Sequence, residues 1–135
     1  MKYAFISLWL LLPAIGWAGE PAGWLNVAEA VVEHIDAAEQ SYLAGDAKQA
    51  KRSVVSAYFG VFEDRKMEAA MRMELGAKHT YQVERRFGDL RKAIQKGLDG
   101  AEVSAIAESI RVAMRRDAEK LDQAGIPLEV FKVNQ

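Results

Sequence analysis

No cysteine occurs anywhere in the 135 residues. That excludes disulfides, thiol catalysis, iron–sulfur ligation, zinc–thiolate sites and covalent c-type haem, and leaves packing as the source of stability. Proline is nearly absent: it stands only at positions 13, 21 and 127, so between Pro21 and Pro127 nothing forbids helix. Charge of either sign is not in excess, with 18 basic against 19 acidic residues and a net charge of −1. Such a chain lacks the basic footprint of a nucleic-acid binder. Long apolar runs are missing except for Ala4 to Ile15, broken only by Ser7. That run is short of the about 20 residues that span a membrane comfortably.

The apolar run has Lys2 before it and Gly16-Trp17-Ala18 after it, with small residues at −3 and −1 of a cut after Ala18. This order predicts a signal peptide over residues 1–18 and export across a bacterial-type inner membrane; the alternative is a retained N-terminal anchor. The expected product is periplasmic and does not span the membrane. It has a helical domain over 19–125, enough chain for a single core, and a C-terminal tail over 126–135.

Ala, Glu, Lys, Arg, Leu and Met are abundant, and Gly45, Gly76, Gly97 with Gly100, and Gly125 divide the chain into four segments. The first runs from about Trp24 to Ala44, with Trp24, Ala28, Val31, Ile35, Ala38 and Tyr42 on one stripe. Asp46 is a good N-cap for the second. There Ala50, Val54, Ala57, Tyr58, Val61 and Phe62 share a face, but Met67, Ala70, Met71 and Leu75 lie well off it at 100° per residue. The phase slip predicts a kink or break near residues 63–66.

The third segment, about Ala77 to Lys96, places His79, Val83, Phe87, Leu90 and Ile94 on its stripe. The fourth starts near Gly100, with Asp99 as N-cap and Glu102 completing a capping-box variant. It buries Val103, Ala107, Ile110, Met114, Ala118 and Leu121. The predicted fold class is all-α, an antiparallel up-down four-helix bundle with a kinked or broken second helix.

Motifs for phosphate loops, zinc proteases and di-iron bundles are absent, and no serine has an activating context. No nucleophile–base pair is visible, so an enzyme is not expected. His79 reads either as a partly buried histidine at a helix start, bonded to a neighbouring backbone group, or as a metal ligand facing the interior; His34 leans further toward the first. Glu63, Asp64 and Glu68 cluster where the phase slips, and Glu84 lies on the shoulder of the third stripe. If the second and third segments pack antiparallel about Gly76, Glu68 and Glu84 are equidistant from the turn. Glu63, Glu68, Glu84 and His79 are then a candidate set of hard oxygens with one imidazole, suited to iron, manganese or zinc. The competing reading is a solvated face on which Arg65, Lys66, Arg72, Arg85 and Arg86 form weak ion pairs.

Two stretches carry a family resemblance. Ala57 to Ala70 reads Ala-Tyr-Phe-Gly-Val-Phe-Glu-Asp-Arg-Lys-Met-Glu-Ala-Ala, and Glu84 to Ile94 reads Glu-Arg-Arg-Phe-Gly-Asp-Leu-Arg-Lys-Ala-Ile. Together, and with Tyr42 to Asp46, they resemble the N-terminal extracytoplasmic domain of bacterial high-affinity iron permeases, the iron/lead transporter family. The match spans roughly Trp24 to Gly97. Tyr58, Glu63, Glu68 and Glu84 stand at the polar positions of that pattern. Family permeases continue into membrane helices with an Arg-Glu-Gly-Leu-Glu motif, which does not occur here. The resemblance therefore implies a free-standing counterpart of the periplasmic domain. Such a protein would bind or deliver iron, with a membrane-embedded iron permease or a periplasmic iron or copper protein as partner.

Two other functions fit the residues. One is a ligand-free interaction module using the tail from Ile126 to Val133 and the Met67, Met71 and Met73 group. The other is a haem-binding bundle with His34 or His79 and a methionine as axial ligands.

Overall fold

The computed structural model describes residues 23–129. The expected signal peptide, residues 19–22 and the tail from 130 onward lie outside the described residues. What is described is all-helical: α1 (Trp24–Leu43), α2 (Ala47–Val55), a π-helical segment (Ser56–Glu63), α3 (Met67–Glu74), α4 (Ala77–Lys96) and α5 (Gly100–Gln123). Five α-helices thus stand where four segments were expected, because the second is divided. None of the described helices is long and apolar enough to cross a membrane.

Helix α1 packs along α5 and also against α2 and the π segment, while α4 is packed by α5, α2 and α3. The apolar stripes meet in one core that fully buries Trp24, Phe62, Ile35, Leu90, Ile110 and Leu121. Met67 and Met71 are inside this core and only Met73 is exposed, so the three methionines do not form a common surface.

Glycines in the left-handed region close the turns, as the sequence predicts; Gly97 after α4 is at φ 68°. Asp46 caps α2 as expected, accepting from Gln49 N at 2.9 Å. Asp99 is the N-cap residue of α5, but its side chain makes no capping bond, so the expected capping box does not form.

The start of α1 is capped from the other end of the chain. Asp122 accepts from Trp24 N at 2.8 Å and Leu25 N at 3.1 Å, and Trp24 Nε1 donates to Ile126 O at 2.6 Å. Gly23 is required at this corner: a Cβ there would sit 2.5 Å from Asp122 Oδ1, on a backbone with φ of 63°.

Candidate functional site

The break in the second segment is built by backbone hydrogen bonds. Asp64 N reaches back five residues to Phe59 O (3.3 Å), Arg65 N four residues to Val61 O (2.9 Å), and Lys66 N three to Glu63 O (3.0 Å). The helix loosens into a π turn, then tightens until Lys66, at φ 65°, ends it in the left-handed region. Helix α3 restarts at Met67 on a new phase. The phase slip in the sequence therefore has a structural cause, and it falls at residues 64–66, where it was expected.

The π segment carries Tyr58, Phe59 and Phe62. Tyr58 meets Phe87 of α4 edge-on at 5.4 Å between centroids, and Phe62 stacks on the same ring at 5.3 Å. This aromatic contact fixes Tyr58 over α4, half-buried, beside Glu84. Helix α3 brings Glu68 and Arg72 to the same place. Arg72 Nη2 donates to Glu68 Oε1 at 2.5 Å and to Glu84 Oε1 at 3.1 Å, so one guanidinium serves two carboxylates.

The electrostatics of this group are not balanced. Burial pushes the Glu84 carboxyl above its ordinary value, and hydrogen-bonding reach to Glu68 and that group's charge push the same way, against the pull of Arg72. Burial, and then the charges of Glu84, Glu68 and Glu63, push the Tyr58 phenol up to about 12. Glu68 first, then Glu84, hold the Arg72 guanidinium above its ordinary value. The local charge is thus negative in excess, with the half-exposed Arg72 as the cation that pairs with both Glu68 and Glu84.

Of the residues read from the sequence, Glu68 and Glu84 converge, and Tyr58 joins them. Glu63 is exposed one turn away, and its charge reaches Tyr58. His79 is not brought to this group. It is partly buried near the start of α4, as expected, but its partner is not a neighbouring backbone group: Nε2 lies 2.8 Å from Asp117 Oδ2 on α5. Asp117 is fully buried and also accepts from Arg116 Nε (2.9 Å) and Nη2 (3.2 Å). The place on the α4 stripe given to His79 belongs to Thr80, which is buried and donates to Gly76 O at 2.9 Å. His34 is half-buried on α1.

The ion-pair reading of the acidic face holds for Arg72, which was among the cations named for it. The sequence offered no reason to choose Arg72 over its neighbours, and Asp117 was missed. Its signal was available: counted from Met114, it falls on the buried stripe of α5, where a charged residue needs a partner.

Among the described residues, no group of three or more His, Asp or Glu side chains is arranged to hold a metal ion. What the Glu68, Glu84 and Tyr58 group supplies is two carboxylates and a phenol, an all-oxygen set whose charge Arg72 partly neutralises. Oxygen sets of this kind take hard cations. Searches for related proteins find no matching family model, no matching curated protein and no matching solved structure.

Proposed function

We propose that the protein is an exported, periplasmic accessory protein that binds or delivers iron, or another divalent or trivalent metal, alongside an iron-uptake permease. The observation that carries this reading is the convergence of Glu68, Glu84 and the Tyr58 phenol on one cationic group, Arg72, beside a π segment. π turns inside helices are frequent at functional sites. The resemblance of Ala57–Ala70 and Glu84–Ile94 to the extracytoplasmic domain of iron permeases points the same way. Arg72 marks the place a cation takes: its side chain is 49% exposed, so it is free to swing into solvent when a metal replaces it. Glu63, at the end of the π segment, is a further carboxylate whose charge reaches Tyr58. The architecture that goes with this reading is an up-down bundle of four helical units, with α2, the π segment and α3 forming one interrupted unit; the short turns between units support it.

Titration of the mature protein with ferric ion, supplied as a weak chelate, tests the reading. Binding should come with a visible phenolate-to-iron absorption band that Tyr58→Phe removes. Glu68→Gln with Glu84→Gln should abolish binding without unfolding the protein. Binding that survives the double variant, or none in the wild type, would sink the proposal.

A further inference from the structure

A groove of about 240 Å³ runs between the α2–π segment wall and α4, beginning at Glu84 and ending at Arg91 two turns on. Val55, Tyr58, Phe59, Phe87 and Gly88 line it. Val55 is 40% exposed and Phe59 58%, so a well-packed helix pair leaves apolar side chains open here. Gly88 is the second oddity. Glycine in the interior of a helix destabilises it relative to alanine, and a Cβ at Gly88 would meet no atom within 4 Å. Among the described residues nothing packs where its side chain would stand; the effect of the glycine is to keep the groove floor clear.

Charge gives the groove a direction. Beyond Arg91 it opens onto a trough lined by Lys48, Lys51 and Arg52, with no acidic residue among its described lining. Arg72, Arg111, Arg115 and Arg116 each sit on a carboxylate of this chain, whereas among the described residues no salt bridge involves the groove cations Lys48, Lys51, Arg52 and Arg91. The opposite end carries Glu84 and Glu68. An occupant must therefore be apolar in the middle and anionic at one end only.

The groove's shape decides the size class. Small-molecule sites are enclosed and bury most of their ligand; this one is open along its length. Such a surface suits a helix laid into it. We infer that the α2–α4 groove docks an amphipathic helix of a partner protein, its apolar stripe on Phe59, Val55 and Gly88 and its acidic end on Arg91, Lys51 and Arg52. The opposed charges at the two ends fix the direction of docking, since the reverse orientation sets acid against Glu84. The inference does not depend on metal binding, and its test is run with a chelator present.

The probe is a phage-displayed library of helical peptides with randomised faces, selected on the mature protein. Enriched peptides should share an apolar i, i+3, i+4, i+7 stripe with Asp or Glu gathered at one end. Their amide shift changes on the labelled protein should concentrate at residues 55–59 and 88–91. Arg91→Glu with Lys51→Glu should weaken binding by about tenfold or more, the order expected for reversing close charge pairs. Gly88→Leu should weaken it as much while leaving the melting temperature unchanged or raised, which a merely structural role for the glycine would not do. The inference is overturned if no helical binder is enriched, or if binders lack the acidic end. It is equally overturned if the shifts lie elsewhere, if Gly88→Leu binds normally, or if benzoate moves these amides and peptides do not.

Discussion

Two acid–base clusters sit on α4, and they are built on opposite plans. At its start, Asp117 is completely buried, and three donor atoms, one on His79 and two on Arg116, converge on its oxygens. One carboxylate is matched by three donors, most of what its oxygens can accept. A little further along, Glu68 and Glu84 are only partly buried, and a single Nη2 atom serves both. Two carboxylates have fewer partners than they need. The first arrangement holds helices together, because a charge inside a core is tolerated only when fully paired. The second leaves negative charge to be neutralised by something else, and it lies beside the π-helical segment.

The largest test of this contrast strands the buried charge. His79→Ala with Arg116→Ala leaves Asp117 unpaired in the core and should cost about 3–5 kcal/mol, the usual scale for breaking a buried pair. Asp117→Ala alone should cost less, about 2 kcal/mol, since it removes the charge together with its bonds. Urea unfolding measures both; the reverse order would show that Asp117 is not the group at risk.

Lys66→Gly comes next. It relieves a left-handed residue at the turn that presents Glu68, and should raise stability by about 1 kcal/mol, read as a shift in the urea midpoint.

Arg72→Gln probes the open cluster through pH. Burial, helped by Glu68, holds Glu84 above its ordinary value. The folded protein therefore keeps a proton that the unfolded chain has released, and stability falls as pH rises from about 4.3 through the raised value. Removing Arg72 removes the opposing pull, so the fall should be steeper and reach higher pH. Thermal melts across pH 4 to 8, in wild type and variant, should show it; identical profiles would mean that Arg72 does not act on Glu84.

The smallest effect concerns stability least. The absorbance titration lost on Tyr58→Phe should have its midpoint near 12, and Glu84→Gln should move it toward the ordinary value of about 10.

Much of this arrangement was legible from residue order. Glycine positions and 3.6-residue stripes placed α4 at Ala77–Lys96 and the start of α5 at Gly100. The mismatch of two stripes located the break, because phase accumulates with each residue and an inserted turn cannot be hidden. What phase does not give is how the chain makes the break. Lys66 adopts a conformation for which glycine or asparagine is the usual signal, so no residue type announced it. The His79 assignment failed by one position: His79 and Thr80 are neighbours on the helix, and a threonine with its hydroxyl bonded to the preceding turn is buried as readily as an apolar residue. Asp117 was passed over because a charge on a stripe looks like an interruption until its partners, one of them 38 residues earlier, are known. Glu68 and Glu84 were paired correctly from their equal distance to Gly76, an argument that needed only the turn.

The bonds joining Trp24 to Asp122 and Ile126 give the molecule a mechanical character. Residue 24 and residue 126 leave from one corner, so any tether on both flanks hangs the bundle like a pendant. A pull on those flanks loads the corner bonds first and in sequence, then peels α1 from α5 as a zipper opens. A protein held this way resists force far less than its thermal stability suggests, and Trp24, buried at the point of first rupture, would report the opening through its fluorescence.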